Sequence, residues 1–97
     1  MKIKVLFTSN AVHKLDKIAD YIYEKTQSKK LTRNYLKKLR EFLASTLQNF
    51  PKAGRPADEI YKNTRKLVYQ SYSIIYSYDD EEDHIVYILT LYRENLP

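Results

Sequence analysis

Few side chains in this sequence are of the kinds that do covalent or metal chemistry. Its 97 residues include no cysteine and only two histidines, His13 and His84, which excludes a thiolate metal site and a disulfide framework. No His/Asp/Glu cluster has metal-ligand spacing, no glycine-rich loop follows a strand, and no serine has a histidine placed to activate it. Metal-dependent hydrolysis, P-loop nucleotide chemistry and Ser–His acyl transfer are therefore set aside, and neither a metal nor a cofactor is expected. His84 stands next to five consecutive acids, Asp79, Asp80, Glu81, Glu82 and Asp83. Such a block repels itself and reads as a solvated loop tip.

Positive charge and tyrosine are what the chain has in quantity. The formal net charge is +5, yet residues 1–56 carry thirteen Lys or Arg against four acids, and residues 57–97 carry four against eight. Lys30, Arg33, Lys37 and Arg40 recur at helical spacing. They are either the solvated side of an amphipathic helix or a contact for nucleic acid or an acidic protein segment. The ten tyrosines read either as a stacking platform for single-stranded RNA or as core rings with wet hydroxyls. Arg65 either pairs with an acid such as Glu59 or Glu94 or has a functional role. An exposed pair contributes only about 0–1 kcal/mol, which tips the reading towards function.

The elements that must position these groups follow from periodicity. The length suits a single domain over residues 1–97, and 43% hydrophobic with 30% charged residues is ordinary globular composition. Residues 2–8 alternate as a strand, with Ile3, Val5 and Phe7 on one side. Ser9 and Asn10 are candidate N-caps. Val12, Leu15, Ile18, Ala19 and Ile22 then give a helix to about residue 24 or 25. Ser28 is a candidate cap for a second helix, whose apolar stripe is Leu31, Tyr35, Leu39, Phe42, Leu43, Thr46 and Leu47. Pro51 ends it. Residues 51–64 form a loop, in which Gly54 is expected to serve a turn needing positive φ.

Three strands follow, at about residues 65–69, 72–78 and 84–92, joined by short links as an antiparallel meander. Period-2 alternation puts Tyr72, Ile74, Tyr76 and Tyr78 against the helical hairpin and leaves Ser73, Ile75 and Ser77 on an open face. It also assigns these tyrosines, with Tyr87, to the core or its edge. The expected fold is α+β and two-layered, in the order βααβββ, with a helical hairpin packed on one face of an antiparallel sheet. No signal segment or membrane span is apparent, so a soluble cytoplasmic protein is expected.

This order, with particular residues, resembles the RelE/ParE toxin superfamily of bacterial type II toxin–antitoxin and plasmid-stabilisation modules. The likeness is carried by Ser9-Asn10-Ala11, Leu15, Ile18 and Tyr21-Ile22, by Leu39 and Leu43, and by Phe50-Pro51 with Gly54-Arg55-Pro56. It continues through Thr64-Arg65-Lys66-Leu67-Val68 and Tyr72-Ser73-Ile74-Ile75-Tyr76 to Ile88-Leu89 and Tyr92-Arg93. The resemblance implies one of two activities on one scaffold. RelE-like members cleave mRNA in the ribosomal A site, whereas ParE-like members bind and poison DNA gyrase. Both are neutralised by a cognate antitoxin, and homodimers or toxin–antitoxin heterotetramers occur.

Metal-free RNA cleavage needs a base for the 2′-OH, an acid for the leaving oxygen and a cation on the phosphoryl oxygens. The resemblance implies an arginine within the Tyr-x-x-x-Tyr strand, and here that position is Ser73. The residues left for a ribonuclease are Arg65, Lys66, Tyr92 and Arg93, with no evident base. The departure favours a ParE-like inhibitor of DNA gyrase over a ribosome-dependent endoribonuclease, and a non-toxic homologue that only binds antitoxin is the third reading. On the ParE-like reading, Arg65, Lys66, Val68, Ile75, Tyr92, Arg93 and Leu96 are the expected antitoxin- or target-binding residues.

Overall fold

The computed structural model describes residues 3–78 and 84–93. The acidic block 79–83 and the tail bearing Glu94 and Leu96 lie outside these described residues. The chain runs β1 (Lys4–Phe7), α1 (Ser9–Thr26), α2 (Lys29–Asn49), β2 (Arg55–Pro56), β3 (Arg65–Tyr69), β4 (Tyr72–Tyr78) and β5 (Ile85–Arg93). Together these make the expected α+β arrangement of two helices on one five-stranded sheet, ordered β1-β5-β4-β3-β2.

Local chemistry sets the helix ends, with one change from expectation. Thr8, not Ser9 or Asn10, caps α1: its Oγ1 accepts from the Ala11 N–H at 3.2 Å. The same hydroxyl reaches the carbonyls of Ile88 at 3.1 Å and Leu89 at 2.9 Å. One side chain thus satisfies a free helix N–H and ties the end of β1 to β5. The hairpin turns through Gln27 in the left-handed region, and Ser28 caps α2 by accepting from the Leu31 N–H at 3.1 Å. Helix α2 stops at Asn49, with Phe50 as its C-cap ahead of Pro51.

Leu15 and Ile18 of α1 and Leu39, Leu43 and Leu47 of α2 pack against Tyr72, Ile74, Tyr76, Val86, Ile88 and Leu91. Ring contacts carry α2 onto the neighbouring strands, Phe42 on Tyr69 with centroids 4.4 Å apart and Tyr35 edge-on to Tyr72 at 6.2 Å. Tyr87, expected with the core, is instead 39% exposed, because its partners Ser77 and Leu6 share the opposite face.

The sheet departs from a plain antiparallel meander in three ways. β1 joins the edge in parallel with β5, because the antiparallel reversals from β2 through β5 leave β5 running the same way as β1. Residues 55–56 add a short strand to β3. In the β4–β5 ladder, Ile75 faces Thr90 while Tyr76 faces Ile88, so Leu89 is an extra residue that bends β5. Gly54 does not have positive φ. Glycine is needed there because a Cβ would lie 2.6 Å from the Lys66 carbonyl oxygen and 3.0 Å from the Tyr76 ring. This close approach lets the buried Gly54 N–H donate to the Tyr76 hydroxyl at 2.8 Å.

Candidate functional site

Cross-strand partners in a sheet point to the same face, so the register sorts the candidate residues. On the face away from the helices, Arg55, Lys66, Ile75 and Thr90 form one row. Val68, Ser73 and Tyr92 form the next. The Lys66 ammonium lies 6.0 Å from the centre of the Tyr92 ring. Val68 is 52% exposed, and Leu6 and Tyr87 continue the exposed apolar surface towards β1.

This face is less open than the alternation implies. Ser73 and Ile75 are both 0% exposed. The segment between β2 and β3 folds back on itself, the buried Thr64 hydroxyl donating to the carbonyls of Ala57 at 3.1 Å and Tyr61 at 2.6 Å. Tyr61 then shares a recess of about 350 Å³ with Asn10, Lys14, Leu89 and Thr90. Thr90 is the cross-strand neighbour of Ile75, so Tyr61 borders that end of the outer face. Being fully buried, Ile75 has no surface to offer a partner.

Arg65 and Arg93 stand on the other face. Arg65 pairs with Tyr76 across β3–β4 and Arg93 with Tyr72 across β4–β5, and both tyrosines are core. Four residues of β4 separate the two levels, about 13 Å along the strand. Each arginine has its own structural partner. The Arg65 guanidinium donates to the Gly54 carbonyl at 2.6 Å and the Lys52 carbonyl at 3.4 Å, and it does not pair with Glu59. The Arg93 guanidinium lies 4.3 Å from the centre of the Tyr21 ring of α1. Arg65, Lys66, Tyr92 and Arg93 are thus split into two pairs on opposite faces, and cannot hold one phosphate together.

The structure brings forward a pair that sequence reasoning missed. Arg55 binds the Glu59 carboxylate at 2.8 Å, beside Lys66 in the same row. The signal was present in the i, i+4 spacing after Gly54, but an arginine in a loop has no period to mark it. Glu59 is the carboxylate that Arg55 brings to this face, and its acidity bears on whether it can be a base. Its own backbone N–H and the Arg55 guanidinium hold it below the usual carboxylate range, which makes it a weak proton acceptor. His84 sits just before β5, about 25 Å along the strand from Tyr92, and His13 is on α1. Among the described residues, no group of three or more His, Asp or Glu could hold a metal ion. The face therefore has, among the described residues, two cations and a tyrosine but no poised base.

A model of the ParE toxin of type II toxin–antitoxin systems, parDE, matches residues 5–95. The chain belongs to the ParE toxin family. Among the solved structures that share its fold are two of toxin–antitoxin systems. A chain of the RelBE2 toxin–antitoxin complex from Mycobacterium tuberculosis is 24% identical, with 98% of this chain and 95% of that one covered at a TM-score of 0.72. A chain of the chromosomal ParDE system from P. aeruginosa is 21% identical, with 96% and 97% covered at a TM-score of 0.77. No curated protein matches. At these identities the two structures establish the fold of this ParE-family chain, and its chemistry must be argued from its own residues.

Proposed function

We propose that this ParE-family toxin acts by binding and inhibiting DNA gyrase, does not cut RNA, and is held inactive by a cognate antitoxin. The observation that carries this reading is the buried, uncharged centre of the outer sheet face, Ser73 and Ile75. A cation aimed at a scissile phosphate has to stand on an accessible strand position, and here that position is a buried serine. The flanking Arg55–Glu59 ion pair supplies charge without basicity. The exposed Val68, with Tyr92 and Lys66 beside it, suits the apolar side and acidic rim of an antitoxin helix. Arg65 and Arg93, engaged on the helix side, are left out of that dock.

The test is an in vitro supercoiling assay with purified gyrase and relaxed plasmid. Supercoiling should fall as toxin is added and recover when the antitoxin is supplied in equimolar amount. Undiminished supercoiling with toxin in large excess over enzyme would contradict the proposed target.

A further inference from the structure

The excess of positive charge in this protein is confined to one helix. Helix α2 carries six of the seventeen Lys and Arg residues (Lys29, Lys30, Arg33, Lys37, Lys38 and Arg40) and one of the twelve acids, Glu41. Eleven cations and eleven acids remain for the rest of the chain, so the formal net charge of +5 equals that of α2 alone. Helix α1 shows no such bias, with Lys14, Lys17 and Lys25 set against Asp16, Asp20 and Glu24. All six α2 cations are exposed, and none has an ion-pair partner among the described residues.

Geometry makes these charges a line. Lys30, Arg33, Lys37 and Arg40 follow steps of three, four and three residues, which keeps them on one side of the helix. At 1.5 Å per residue they span about 15 Å. That side faces away from the core, because Tyr35, Leu39 and Phe42 occupy the opposite one. On one side the stripe is flanked by Asn34, Glu41 and Gln48, all exposed, and on the other Leu36 and Leu47 turn into the core, so no exposed large apolar side chain and no ring stands beside it. Protein interfaces rely on buried aromatic or aliphatic anchors and are depleted in lysine, and single-stranded nucleic acid is held by stacking rings. A row of cations without either matches the regularly spaced phosphates of a duplex.

We infer that the outward face of α2 is a sequence-independent docking surface for the phosphate backbone of duplex DNA. The choice of DNA over RNA rests on the proposed gyrase target, whose substrate is DNA; the duplex-binding itself rests on the charge line. The experiment measures the binding of the purified toxin to a labelled 20-base-pair DNA duplex by fluorescence anisotropy, with no gyrase present. A DNA-binding failure is thereby kept distinct from a failure of the target assignment. Binding should be independent of sequence and fall roughly 100-fold between 50 and 200 mM salt, as expected for about four phosphate contacts. Replacing Lys30, Arg33, Lys37 and Arg40 with Gln together should abolish most of that binding and flatten the salt dependence. Replacing Lys4, Lys14, Lys17 and Lys62 with Gln removes the same formal charge elsewhere and should leave most of it. Equal loss in the two quadruple variants, no salt-dependent binding, or tighter binding to a double-stranded RNA or an acidic peptide than to DNA would each overturn the proposal.

Discussion

Gly54 and Tyr76 show how a single contact holds the margin of the candidate site. Tyr76 is fully buried, and its hydroxyl accepts from the Gly54 N–H, while Arg65 binds the Gly54 carbonyl. Both backbone groups of a buried glycine are thus satisfied by side chains of β3 and β4. Tyr76→Phe leaves the N–H without its partner and should cost about 1–3 kcal/mol, measured as a shift of the urea midpoint. Gly54→Ala drives a methyl into the Lys66 carbonyl and should be at least as damaging, since backbone gives way less readily than a side chain. Arg93→Ala, by contrast, removes the cation–π contact on Tyr21 and should cost about 0.5–1 kcal/mol. On this account it leaves inhibition of gyrase intact, and a supercoiling assay on the variant checks this.

At the level of elements, the helices and β3 to β5 were legible because their periods are strong and their caps are of standard types. The features that escaped are those without a period. Thr8 was overlooked beside Ser9 and Asn10 because a cap is defined by where its hydroxyl lands, and Thr8 alone reaches both Ala11 and β5. Thr8→Ala removes both roles and should destabilise the protein by about 1–2 kcal/mol, again read from chemical denaturation. The parallel placement of β1 and the bulge at Leu89 come from long-range pairing that no local pattern encodes. Alternation assigned the faces of β4 correctly, yet it could not show that Ser73 and Ile75 are fully buried on theirs. Nor could proximity in sequence show that Arg65 and Lys66, adjacent on one strand, point to opposite faces, although period-2 geometry demands it.

Across the whole molecule, tyrosine links stability to pH. Burial pushes the Tyr35 hydroxyl up to about 12, with the neighbouring Tyr72 and Tyr69 adding to the rise. Tyr72 and Tyr76 are raised by burial as well. A tyrosine in an unfolded chain ionises near 10, so below that pH both states hold the proton and stability is at its full value. Between about 10 and 12 the unfolded chain loses the proton first, and stability must fall. The urea midpoint should therefore be flat from pH 7 to 9 and drop steeply by pH 11; a midpoint unchanged at pH 11 would show that these hydroxyls are not held neutral by the fold.

The two faces of the molecule divide its roles on this account. The helical side carries the excess positive charge along α2, and the outer sheet face carries the exposed Leu6, Val68 and Tyr87 around a buried, uncharged centre. On this reading the outer face leaves RNA uncut. Primer extension on mRNA held in programmed ribosomes is the most direct measurement of it. At toxin concentrations that halt supercoiling, the transcripts should remain full length. Codon-aligned cuts that vanish in Lys66→Gln or Tyr92→Phe would make the face a ribonuclease site and overturn the non-catalytic reading.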